Sequence, residues 1–141
     1  MAIVVDASVV AAHLLPDEEN REAAATILAR LDEEDGVVPP IFRYEVRNIL
    51  LMAKRRKRID AQQLQQLLAE LTDFALVEDA VSNDADVFEL ADRLELTVYD
   101  AAYLEVAKRC RAALATFDTA LARAADAEQV VVLGTGESSQ A

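Results

Sequence analysis

Short apolar runs alternate along this chain with stretches whose apolar residues recur at helical spacing, and few folds accommodate that alternation. Ala2–Val5, Gly36–Val38, Phe74–Val77, Ala113–Thr116 and Val130–Leu133 read as strands. Between them, Val46/Ile49/Leu50/Ala53, Leu64/Leu67/Leu68/Leu71 and Val87/Leu90/Ala91/Leu94 follow the i, i+3, i+4, i+7 pattern of amphipathic helices. Asp60 followed by Gln63 predicts a capping box at the start of the second of these. Short apolar strands separated by helices imply an α/β fold, a three-layer α/β/α sandwich with a mainly parallel central sheet covered on both faces. Such sheets bind ligands beyond the carboxyl ends of their strands, so polar residues at those ends deserve the closest reading.

At 141 residues the chain suits one domain, expected over residues 1–133 and followed by a polar, disordered tail over 134–141. Cys110 is the only cysteine and His13 the only histidine, which excludes an intrachain disulfide and the cysteine-rich zinc sites. The apolar start is interrupted by Asp6, far short of a signal or spanning segment, so a cytoplasmic protein without membrane contact is expected. A net charge of −12 opposes nucleic-acid binding at first sight, but the charge is sorted. Arg43, Arg47, Lys54, Arg55, Arg56, Lys57 and Arg58 stand against Glu45 alone in their segment, a local +6, and the remainder carries −18. The basic run at the helix end serves equally as a partner for the helix dipole or as a contact for RNA or a protein partner.

Four acids fall where the pattern ends strands or begins helices. Asp6 closes Ile3-Val4-Val5, Asp118 follows Ala113–Thr116, Asp100 is expected to begin a helix after Leu96–Tyr99, and Glu45 lies beside the apolar stripe of its helix. Each acid taken alone is also an ordinary helix cap or dipole partner. Together, clustered carboxylates would repel one another unless a divalent cation joined them, and oxygen donors without histidine or cysteine suit Mg²⁺, with Mn²⁺ able to substitute. His13, without a second histidine, reads as structural, and Cys110 continues the apolar stripe Tyr99/Tyr103/Val106/Ala107 as core. Tyr44, Tyr99 and Tyr103 read as packing before base stacking.

Four stretches in register resemble the motifs of PIN-domain ribonucleases. They are Ile3-Val4-Val5-Asp6-Ala7-Ser8, Pro40–Leu50 with Glu45 and Asn48, Thr97–Ala107 with Asp100, and Ala115–Leu121 with Asp118. The similarity runs over essentially residues 2–133 and points most closely to VapC-like toxins of type II toxin–antitoxin modules. It implies a Mg²⁺-dependent endoribonuclease, a homodimer, and inhibition by a cognate antitoxin protein. By the same matching, Asp6 and Asp100 would hold the principal metal, Glu45 and Asp118 would complete the catalytic site, and Ser8, Asn48 and Thr116 would orient carboxylates and waters. The expected chemistry is water attack on an RNA phosphodiester, leaving 5′-phosphate and 3′-hydroxyl ends. The alternatives are a catalytically silent binding module on the same fold and, less favoured, a Mg²⁺ phosphatase, which would want a second Asp where Ser8 stands.

Overall fold

The computed structural model describes residues 1–81 and 83–134. Strand β1 (Ala2–Val5) is followed by helices α1 (Ala7–Leu14) and α2 (Arg21–Ala29), a 3₁₀ turn (Arg30–Asp32) and β2 (Asp35–Val38). Then come α3 (Phe42–Arg55), α4 (Ala61–Leu71), β3 (Leu76–Glu78), α5 (Asp84–Leu94), α6 (Val98–Cys110), β4 (Ala113–Thr116), α7 (Thr119–Ala127) and β5 (Val132–Gly134). All pairings are parallel, and the sheet order is β3-β2-β1-β4-β5. Helices α1 to α4 pack among themselves, and α5 to α7 form a second packed group, which completes the expected three-layer α/β/α sandwich.

Burial explains the central strands. Ile3, Val4 and Val5 are fully buried, and β4 beside them is buried throughout, as a parallel sheet covered on both faces requires. The chain builds β2 and β3 to one side of β1, then crosses back to lay β4 and β5 on the other. Strand order therefore reverses between β1 and β4, and a crevice opens there at the carboxyl ends of these strands. Val5 pairs with Ala115 at that end, and the Asp6 amide donates to the Ala115 carbonyl at 2.9 Å.

Several boundaries differ from the sequence expectation for local reasons. Val130 remains tied to the end of α7, its amide donating to the Ala125 carbonyl, so β5 begins only at Val132. Strand β3 starts after a tight turn in which the Leu76 amide donates to the Phe74 carbonyl. Helix α6 starts at Val98, because Thr97 caps it by accepting from the Asp100 amide; Asp100 is thus inside the first turn instead of opening the helix. The Asp60/Gln63 capping box forms as expected. Gly134, read from sequence as the first tail residue, closes β5 opposite Thr116; residues 135–141 of that tail lie outside the described residues. Its φ of 103° and an added Cβ only 2.5 Å from the Thr116 carbonyl oxygen make glycine a requirement there.

Candidate active site

Strand β1 delivers Asp6 to the crevice, and the loop after β4 delivers Asp118. Asp6 is 7% exposed, and instead of capping α1 its side chain receives two hydroxyls. Ser8 Oγ and Thr116 Oγ1 both donate to Asp6 Oδ2 at 2.7 Å. The same hydroxyl oxygens accept in turn, Ser8 Oγ from the Phe117 amide at 3.1 Å and Thr116 Oγ1 from the Asp118 amide at 3.0 Å. These four bonds lock the β1 end to the β4 loop. Asp118 commits one oxygen, Oδ1, to the Leu121 amide as the cap of α7.

Helices α3 and α6 supply the other two acids from their first turns. Glu45 is half-buried, and its Oε1 accepts from the Tyr103 hydroxyl at 2.7 Å. Tyr103 is fully buried, so the bond joins α3 to α6 under the site. Asp6, Ser8, Glu45, Asn48, Asp100 and Asp118 line one open basin of about 400 Å³. Thr116 lies beneath it, completely buried.

The electrostatics of the basin follow from this crowding. Burial pushes the Asp100 carboxyl up to about 6, with the charges of Asp118, Asp6 and Glu45 adding to the rise. Burial also raises Asp6, and the Ser8 and Thr116 hydrogen bonds oppose it while the Asp118 charge reinforces it. Glu45 is raised by burial and by Asp6, against the Tyr103 hydrogen bond. Negative charge is thus disfavoured here unless something positive shares it. Among the described residues, no three His, Cys, Asp or Glu are grouped so as to hold a cation by themselves. The arrangement is open, not a closed cage of four carboxylates. An open set of hard oxygen donors still fits Mg²⁺ or Mn²⁺, which retain waters and are commonly held by one or two carboxylates together with substrate phosphates.

The basic residues do not form one surface with this basin. Arg43 and Arg47 sit at the Glu45 end of α3, and Arg47 Nη1 donates to the Arg43 carbonyl at 2.9 Å. Lys54 is nine residues beyond Glu45, about 14 Å along the helix axis. Lys54, Arg55, Arg56 and Lys57 are exposed there. Arg58, at the end of the basic run, pairs with Asp17 at 2.6 Å and Glu18 at 3.1 Å, binding the end of α3 to the turn after α1.

Sequence reasoning missed Tyr103 as a site residue. Its signal was available, since a tyrosine three residues after Asp100 on an apolar helix face must find a partner for its hydroxyl. Thr97 and Phe117 were also missed; the first caps the Asp100 helix, and the second lines the basin. Tyr44 and Tyr99, read as packing, are largely exposed. His13 matches its structural reading, with its ring edge-on to Phe74 at 5.8 Å, and Cys110 is half-buried with Sγ 3.6 Å from Asp79 Oδ2.

Comparison with known proteins agrees with this architecture. Residues 3–127 match the PIN domain family. Ribonuclease VapC3 of Pyrobaculum aerophilum is 36% identical over 125 residues, which span 86% of this chain and 93% of that protein. Among solved structures, PAE2754 from Pyrobaculum aerophilum superposes with a TM-score of 0.63 at 26% identity, covering 88% of this chain and 79% of that one. VapBC2 from Rickettsia felis, solved bound to a DNA fragment from their promoter, gives a TM-score of 0.68 at 14% identity, over 94% and 97% of the two chains.

Proposed function

Because the chain belongs to the PIN-domain family, in its VapC-like group, we propose that it is a metal-dependent endoribonuclease acting through Asp6, Glu45, Asp100 and Asp118. The observation that carries this reading is the basin at the β1/β4 switch point, where these four acids gather and three of them resist ionisation. Asp6 and Asp100 are the proposed principal ligands of Mg²⁺ or Mn²⁺, with Glu45 and Asp118 completing the site. Such an ion, when bound, orients and acidifies water and offsets charge on the phosphodiester.

The chain's own residues prepare that chemistry. Ser8 and Thr116 fix Asp6 in one rotamer through Oδ2, so no reorganisation is needed when substrate arrives. Tyr103 fixes Glu45 through Oε1. The carboxyl of Asp100, pushed up to about 6 by burial and by the neighbouring acids, is the group whose ionisation a bound cation would most relieve, which suits it to the ligand role. Asn48, one turn after Glu45 on the basin wall, is a proposed donor to a phosphate oxygen. Arg43 and Arg47, two residues either side of Glu45 on α3 and so on another face of that helix, are proposed contacts for RNA backbone or the antitoxin.

The VapC likeness extends the proposal to the toxin of a type II pair, acting as a homodimer in the cytoplasm and inhibited by a cognate antitoxin. No helix of the described residues is long and apolar enough to cross a membrane. Incubation of the purified protein with structured RNA and Mg²⁺ or Mn²⁺ tests the activity, with EDTA and Asp6→Asn as controls. Cleavage lost in both controls, leaving 5′-phosphate ends, is the expected result. A 2′,3′-cyclic phosphate product would identify attack by the ribose hydroxyl and overturn the scheme.

A further inference from the structure

Phe117 stands between two residues already tied to the basin, the buried Thr116 and the α7 cap Asp118. Its backbone is pinned there. The Phe117 amide donates to Ser8 Oγ at 3.1 Å, and the next amide, of Asp118, donates to Thr116 Oγ1 at 3.0 Å. The ring is pinned as well. A Cβ added at Gly134 would lie 3.1 Å from its Cε1 and 3.2 Å from its Cδ1, so the ring rests on the bare backbone of β5. Phe42 is buried in the core, Phe74 meets His13 and Phe88 is exposed on α5, whereas Phe117 is half-buried and lines the acid basin. Packing on β5 explains the covered part of this side chain. It does not explain apolar surface left in water where four carboxylates gather.

We propose that Phe117 is a specificity-determining residue, the platform on which the base beside the scissile phosphate stacks. The inference rests on the ribonuclease reading and deepens it by naming the part of the RNA that this wall of the basin takes. A nucleotide offers an anionic phosphate, a hydroxylated sugar and a flat, uncharged base. The acids accept phosphate only through a shared cation, and the Asn48 amide suits phosphate or sugar oxygens. Phe117, with Ala7 and Ile49, forms the uncharged remainder of the lining, and it is the one aromatic residue there. A base meets no like charge on that ring and presents a π-face to it. Single-stranded RNA is read by unstacked bases on aromatic side chains, and one such stack is worth roughly 5- to 150-fold in affinity. The ring is held before the base arrives, so little ordering is needed on binding. Phe117 and Asp118 are neighbours in the chain, which keeps a base on the ring beside a phosphodiester held over the acids.

Steady-state cleavage is compared for wild type, Phe117→Leu, Phe117→Ala and Phe117→Tyr. The substrates are four RNAs that differ only in the base beside the cut. In parallel, a single-stranded RNA carrying one 2-aminopurine is titrated into each protein with Ca²⁺ in place of Mg²⁺, and quenching of its fluorescence reports stacking. Thermal melts with and without Mn²⁺ report whether the acid basin is intact. Leucine keeps apolar bulk over Gly134 and removes only the ring, so it separates stacking from packing. Phe117→Leu and Phe117→Ala should raise KM roughly 5-fold or more, flatten the preference among the four RNAs and lose the quenching, while the Mn²⁺-induced rise in Tm persists. Phe117→Tyr should keep both quenching and preference. A leucine variant with wild-type KM, preference and quenching would overturn the platform. A leucine variant that loses the Mn²⁺ response together with cleavage would overturn it too, and make the ring a support for the acids. A wild type that cuts all four RNAs alike without quenching would overturn the platform and leave the ribonuclease reading intact. Quenching that depends on Phe117 in a protein that cuts none of them would instead sink the ribonuclease reading and leave the base platform standing.

Discussion

Asp6 is a carboxylate taken almost wholly out of water, with two hydroxyls on one oxygen and another acid nearby. Its replacement by Asn removes the charge but keeps the shape, so Asp6→Asn should fold, lose cleavage, and melt in EDTA no lower than wild type. A melt several degrees lower would show that the carboxylate stabilises the metal-free fold. Asp100 gives a pH test. Its folded pKa near 6 exceeds the unfolded value near 3.8, so its protonated form favours the folded state. That contribution is complete below about pH 4 and is lost as pH rises through 6. The Tm advantage of Asp100→Asn over wild type should therefore grow between pH 4 and 7 in EDTA, and shrink when Mg²⁺ is added. Tyr103→Phe removes one hydroxyl and frees Glu45 to rotate. We expect kcat to fall about tenfold with KM little changed, a split that cleavage kinetics would read directly. Asp6 was legible in the sequence because an acid directly after three buried β-branched residues has few innocuous explanations. Tyr103 was legible only in part: its hydroxyl calls for a partner, but its apolar stripe reads as packing, and only the structure identifies Glu45 on α3 as that partner.

At the scale of elements, the loop from Thr116 to Asp118 is held from both sides. Ser8 and Asp6 hold it from β1, and β5 presses against it through Gly134. Gly134→Ala would place a methyl against the Thr116 carbonyl at a positive φ, costing about 2 kcal/mol or more and displacing the loop. Thermal melts and cleavage should fall together; loss of neither would show that the backbone yields without cost. Existence and type of the strands were legible from their apolar runs. The starts of β3, β5 and α6 were not, since each depends on a single turn or cap bond that periodicity does not encode. The basic segment divides for a similar reason. Its charge is visible in the sequence, but the acids that claim Arg58 lie about 40 positions earlier.

For the whole molecule, sorted charge remains the main electrostatic fact. Divalent cation should raise the Tm of the full chain by mass action on the acid basin, an effect absent in Asp6→Asn. Neutralising Lys54, Arg55, Arg56 and Lys57 together should weaken RNA binding and flatten its dependence on salt; an unchanged slope would show that these residues do not meet the backbone. The sheet order places a further condition on the molecule. Asp6 and the Thr116 hydroxyl that holds it stand 110 positions apart, and they meet only when β4 docks against β1. During synthesis the first acid of the domain therefore precedes the hydroxyl that positions it by 110 residues. A chain in which β4 has not paired with β1 therefore lacks the bond that holds Asp6, whatever helices it has formed. In a refolding experiment, cutting activity should return with the slow closure of the long-range β1–β4 pairing and lag behind the recovery of helical signal. The topology makes the basin a late product of folding, since its geometry exists only once the two halves of the sheet have joined.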